Sequence, residues 1–287
     1  MNRRPVVAAI DTSARSRSAA RWAAAEALRR ATSLHLVHTW PFLGEHETSP
    51  VKAADLQTAA RALLHEAAAD VQAAHPTLTV SSSLIPDAAV DGLLAAGSDA
   101  QLLVLGTRGL GGFHGLLVGS VSLAVAARAE LPVVLVREEW TSARGDAEVV
   151  VGLDVAQPAE AVLDFAFREA ALRGARVRVV HGWDLPPMYG YAGWVPSEQD
   201  RLELGAVAEK LVTEAVAPWR DRYPLLSVET EVRLGGGANA LVHAADGAAL
   251  TVVGRAARPH PIGARLGSVA HAVVHHAQSP VAVVPHD

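Results

Sequence analysis

"VVAAIDTSARSRSAARWAAAEALRRATSLHLVHTW", residues 6–40, returns at residues 149–183 as "VVVGLDVAQPAEAVLDFAFREAALRGARVRVVHGW". The offset is 143 residues, which lays Asp154 on Asp11. Towards the end of each copy, "VLGTRGLGGFHGLLVGSVSLAVAARAELPVVLV" (104–136) returns as "VVGRAARPHPIGARLGSVAHAVVHHAQSPVAVV" (252–284), now offset by 148. The chain is a tandem repeat whose second copy has gained five residues between these blocks. "DLPPMYGYAGWVPSEQD" (184–200), rich in Pro, Gly and aromatic residues, reads as the inserted loop. "REEWTSARGDAE" (137–148) is polar and contains Gly145, which places the linker near 138–147 and gives domains at 1–138 and 147–287.

Within the first copy, "PVVAAID" (5–11) is a short apolar run without alternation, as expected of a strand buried on both faces. A helix over 16–31 places Ala19, Trp22, Ala23 and Leu28 on one side and its arginines on the other. "SLHLVHTW" (33–40) is the second strand. A helix rich in Ala and Leu over 52–73 leads into "TVSSSLI" (79–85), and a helix over 88–100 leads into "QLLVLG" (101–106). The last helix, 119–129, precedes the strand "LPVVLVR" (131–137). Strands alternating with helices require crossover connections, hence a parallel sheet covered on both faces, so both halves are α/β.

Composition narrows the partners. With 25 Lys and Arg against 30 Asp and Glu, net charge −5 and no basic block, the chain lacks the footprint of a nucleic-acid binder. There are no cysteines, which removes disulfides, thiolate metal sites and cysteine nucleophiles together. The apolar run at the N-terminus breaks at Asp11, too early for a signal-peptide core or a membrane span, and the expected location is the cytoplasm.

The chemistry gathers in "GTRGLGGFHGLLVGS" (106–120), which follows the fourth strand. No glycine there precedes Lys and Ser or Thr, so it is not a Walker loop. Gly109 and Gly111 begin a dinucleotide fingerprint, but position 114 is His and the strand is not the first. What remains is Gly106, two residues, Gly109, nine residues, then Gly119 and Ser120. Such glycines let backbone N–H groups approach an anion without a Cβ in the way, and Ser120 and Ser122 stand where a hydroxyl caps a helix start or meets a phosphate oxygen. Taken by itself, the loop is a plain turn or a phosphate cradle with about equal weight.

That spacing, with "VVAAIDTS", "LVHTW" and "LPVVLVR", resembles a universal stress protein domain of the ATP-binding subgroup, and the repeat resembles the tandem actinobacterial type. The resemblance implies two Rossmann-like domains of the adenine nucleotide α-hydrolase type, each a five-stranded parallel sheet flanked by helices. It implies ATP, with Mg²⁺ bridging the phosphates. Ala9, Asp11 and Thr39 would border the adenosine, and Gly106, Thr107, Arg108, Gly109, Leu110, Gly111 and Gly112 would wrap the ribose and phosphates. Gly119, Ser120, Val121 and Ser122 would hold phosphate oxygens. In the second copy Gly152, Asp154, Gly182, Gly254, Arg255, Gly267, Ser268 and Val269 would form a weaker site, because Ala257 and Ala270 replace a glycine and a serine, and Pro259 and Pro261 remove loop donors.

The resulting expectation is an ATP-binding regulatory protein, a sensor without rapid turnover, self-associating as a homodimer and acting on a protein partner that the sequence does not name. The sequence offers no arginine finger or Walker lysine, which argues against a true ATPase. The alternative is a dimerising scaffold with vestigial sites. His271 and His275, four apart on a helix, read as a surface pair and not as a metal site for want of a third ligand. No metal ligands and no catalytic residues are assigned. Trp40 and Trp183 occupy matching positions and are expected to cover the mouth of the sheet.

Overall fold

The computed structural model describes residues 4–40, 53–107, 117–140, 148–184, 197–257 and 266–287. The chain divides into two compact units. The first carries β1 (Val6–Ala9), α1 (Ala14–Arg29), β2 (Leu34–Thr39), α2 (Ala53–Ala74) and β3 (Val80–Ile85). It continues with α3 (Ala89–Gly97), β4 (Leu102–Gly106), α4 (Ser120–Arg128) and β5 (Val133–Val136). The second repeats the order as β6 (Glu148–Gly152), α5 (Glu160–Arg173), β7 (Arg176–Trp183), α6 (Glu198–Arg222) and β8 (Val228–Leu234). It ends with α7 (Gly237–Ala244), β9 (Leu250–Ala256), α8 (Ser268–His276) and β10 (Val281–His286). The expected linker and inserted loop lie largely outside the described residues.

Strand order in the first unit is β3-β2-β1-β4-β5, and in the second β8-β7-β6-β9-β10. Neighbouring strands run parallel: Val6 lies opposite Leu34 on one side and Leu102 on the other, and Val149 likewise meets Val177 and Leu250. The order of strands therefore reverses between β1 and β4, and between β6 and β9, which is where an open α/β sheet forms its crevice. Leu102, Val104, Val134, Val150 and Val252 are wholly buried, as strands covered on both faces must be.

Helix α1 begins two residues earlier than expected because Ser13 is its N-cap, its hydroxyl accepting from the Ser16 N–H at 3.1 Å. Ala19, Trp22 and Ala23 are buried as expected, but Leu28 is 38% exposed. The inward stripe runs instead through Glu26 and Ala27, both 0% exposed. A carboxylate there is tolerable because Arg30 lies 2.6 Å from it and Arg29 3.6 Å, so two of the helix's arginines fold back onto it rather than facing water. The second unit repeats the device in Glu169 and Arg173, a pair whose side chains are each 1% exposed.

One position is solved differently in the two units. His35 on β2 sits between two serines of β3, its Nδ1 and Nε2 each 2.8 Å from the hydroxyls of Ser81 and Ser83. At the matching place on β7 stands Arg178, paired with Glu148 and, at 3.4 Å, with Glu231 of β8. Burial lowers the His35 pKa, whereas hydrogen bonding to Glu148 raises that of Arg178.

Candidate functional site

At the end of β1 the chain turns into α1, and Asp11 organises the turn. Its Oδ1 accepts the Ser13 N–H at 2.8 Å, while its carbonyl accepts the Ser16 hydroxyl at 2.6 Å. Asp154 does the same at the end of β6, accepting the Ala156 N–H at 2.9 Å. Each carboxylate is thus oriented at the switch point of its sheet with a second oxygen to spare. Beside it, His38 Nδ1 donates to the Ile10 carbonyl at 2.7 Å, and His181 Nδ1 to the Leu153 carbonyl at 2.9 Å. A carbonyl can only accept, so Nδ1 carries a proton in both rings. The spacing of the repeat held a signal for these histidines, which the expected site residues left out.

Gly106 ends β4 against α1. A Cβ there would lie 2.9 Å from the backbone carbonyl carbon of Arg15, so the close approach of helix to strand end by itself requires glycine. The next residue, Thr107, is 4% exposed, and its carbonyl accepts the Gly119 N–H at 2.7 Å. The glycine loop therefore leaves and returns through a closed stem. Arg108, Gly109, Leu110, Gly111 and Gly112 lie outside the described residues.

Gly119 is the N-cap of α4 and has no side chain to cap it, so the first-turn N–H groups of Ser120, Val121 and Ser122 begin the helix without a side-chain cap. Ser120 is exposed, whereas Ser122 is buried and its hydroxyl donates to the Gly106 carbonyl at 2.8 Å. The hydroxyl proton of Ser122 is thus committed to the stem of the loop. Ala9 and Thr39 are half-buried at the ends of their strands.

In the second unit a cavity of about 380 Å³ opens at the carboxyl ends of β6, β7 and β9. Gly152, Asp154, Gly182, Gly254 and Val269 line it, together with His181. Its volume falls within the range of about 300–1,000 Å³ usual for small-molecule sites. Arg255, Gly267 and Ser268 are not among its lining residues: Arg255 is buried on β9, where burial lowers its pKa, and Gly267 is the uncapped N-cap of α8. Gly182 stands where a Cβ would lie 2.5 Å from the backbone of Gly236 and Gly237, which lets α7 begin against the end of β7.

Other expected features are placed as follows. His271 and His275 stack with ring centroids 4.4 Å apart, and among the described residues no group of three His, Asp or Glu could hold a metal ion. Trp183 lies against Gly205 of α6. No helix among the described residues is long and apolar enough to cross a membrane.

Two parallel α/β units in tandem, each with an oriented carboxylate at its switch point, define the class of protein. The universal stress protein family model matches residues 2–137 and again 147–285, and the chain belongs to that family. A universal stress protein of Mycobacterium bovis is 32% identical over 290 residues, covering 97% of this chain and 96% of the relative. One of Mycolicibacterium smegmatis is 31% identical over 291 residues, with 97% and 96% covered. The crystal structure of a universal stress protein from Archaeoglobus fulgidus superposes over 100% of both chains with a TM-score of 0.72 at 16% identity, a likeness of fold.

Proposed function

We propose that the chain is an adenine-nucleotide sensor of two domains, 1–138 and 147–287, that binds ATP at the strand ends of at least the first. The supporting observation is the repeated strand-end geometry, in which an oriented carboxylate, a histidine bonded through Nδ1 to a strand-end carbonyl and an uncapped helix start recur in both units. The residues fit the ligand: an Asp oxygen suits a ribose hydroxyl, and backbone N–H groups at a helix start suit phosphate. A divalent ion such as Mg²⁺ would be held through the phosphates, since no cluster of three ligating side chains is found among the described residues.

Nucleotide binding would shift the population of states that a second copy of the chain or a protein partner recognises in the cytoplasm. The role proposed is regulatory, since the sequence offers no arginine finger or Walker lysine. The test is to denature purified protein and assay the supernatant for ATP, with Gly109→Arg as control, and to measure the thermal shift with ATP and Mg²⁺. Wild type is expected to release nucleotide and to be stabilised. Absence of both responses sinks the proposal.

A further inference from the structure

We propose that His286 is a ligand-binding residue of the second unit, meeting the phosphate of an adenine nucleotide through Nε2 as an imidazolium, so that binding there takes up a proton. The inference rests on reading the strand ends as adenine-nucleotide sites. His286 closes β10, is half-buried and lines the cavity beside the end of β9. Its Nδ1 lies 3.0 Å from the backbone oxygen of Asp287, which can only accept, so Nδ1 carries a proton. The proton that comes and goes is therefore the one on Nε2. That atom and Cδ2 each lie 2.9 Å from where a Cβ of Gly254 would stand, so the glycine leaves the ring room to reach the strand end. A phosphate oxygen only accepts, and against Nε2 it requires the protonated ring.

The group is peculiar to the second unit. Asp154 and His181, the other titratable residues among the described lining, are matched by Asp11 and His38 and so are common to both units. The repeat aligns His286 with Glu138, and Pro158 with Arg15. Glu138 is committed to α1: its carboxylate pairs with Arg15 at 3.0 Å, and its carbonyl accepts the Ser18 hydroxyl at 2.9 Å. Pro158 has no charge to offer in that role, and the ring of His286 lies against Gly254, where the counterpart Gly106 has the backbone of Arg15. Of the elements packed on β10, β9 carries Arg255, itself buried, and α5 carries Glu160, which lines a separate cleft with Pro218 and Trp219. From α8 the cavity takes the uncharged Val269. An imidazole ordinarily titrates between about pH 5 and 8, so the affinity of the second unit for a phosphate-bearing ligand varies with pH in that range.

The full-length chain, with Gly109→Arg introduced to block the first site, is titrated calorimetrically with ATP and with adenosine in buffers of different ionisation enthalpy. His286→Gln and His286→Lys are compared in the same background, and the unblocked chain is titrated in parallel. Relative to His286→Gln, the histidine is expected to gain about tenfold in affinity for ATP as the pH falls from about 8.5 to 5.5, and to take up a proton as ATP binds. Titration of the nucleotide itself is common to both proteins and cancels in this comparison. Adenosine, which has no phosphate, is expected to show neither effect. His286→Lys, charged throughout, is expected to hold ATP at about the low-pH affinity at both pH values and to lose the proton uptake.

Equal pH profiles for the histidine and for His286→Gln, or adenosine following the profile of ATP, overturn the inference and leave the sensor reading standing. ATP held by the unblocked chain in the first unit alone does the same. ATP bound in neither unit removes the sensor reading and the inference with it.

Discussion

The buried Ser122 hydroxyl, in the first turn of α4, donates to the carbonyl of Gly106 at the end of β4, 2.8 Å away. The bond fixes the helix start relative to the strand from which the glycine loop departs. Ser122→Ala removes a buried donor and leaves that carbonyl wanting, a cost of about 1–2 kcal/mol. Urea unfolding monitored in the first unit is expected to show this loss. An unchanged midpoint would mean that water replaces the hydroxyl. The second copy carries Ala270 at this place, so Ala270→Ser is expected to be nearly neutral or slightly stabilising.

Gly182 and Gly205 make opposite predictions from the same substitution. At Gly182 a Cβ meets backbone of Gly236 and Gly237 at 2.5 Å, and neither strand end nor helix start can yield cheaply. Gly182→Ala should cost on the order of 2 kcal/mol or more, as overpacking against backbone does. At Gly205, within α6, the nearest atom to a Cβ is the Trp183 ring at 3.8 Å, which is ordinary contact. Gly205→Ala is expected to stabilise by about 0.5–1 kcal/mol through helix propensity and a less flexible unfolded chain. Paired thermal melts check both signs.

Glu169 and Arg173 form an ion pair almost wholly out of water. Arg173→Leu strands the carboxylate and should destabilise by about 3–5 kcal/mol, whereas the double change Glu169→Leu with Arg173→Leu should recover much of that loss. A double-mutant cycle in denaturant measures the difference. Equal losses for the single and double variants would contradict the account of the pair.

His35 supplies the pH dependence. Burial depresses its folded pKa below the ordinary 6.5, so the unfolded chain takes up a proton that the folded chain refuses. The first unit's stability is fully present above about pH 6.5 and declines as pH falls through the folded value. His35→Asn is expected to flatten that acid-side decline in the urea midpoint. A slope unchanged by the substitution would assign it to other groups.

Much of the strand and helix order was legible, because β1, β4, β5 and their repeats are uninterrupted apolar runs that only a doubly covered strand explains. The α1 register was less so. Leu28 was expected inside with the arginines opposite, yet Glu26 is the buried residue: hydropathy alone scores a carboxylate as solvent-seeking, and only its proximity to Arg29 and Arg30 reverses this. Sequence likewise matched His35 with Arg178 by position but could not show that the serines of β3 and the glutamates of β6 and β8 complete the two sites.

The sequence by itself determined the tandem repeat, the α/β class of both halves, the strand-end aspartates and the family, since these depend on local pattern and spacing. Tertiary structure decided what the strand ends hold. Gly182 next to Gly236, Ser122 beneath Gly106 and His286 over Gly254 are meetings of residues far apart in the chain. The second copy, whose loop sequence is the poorer of the two, nevertheless has a cavity. Its described walls are made by the ends of β6, β7 and β9 and by the helix starts packed on them.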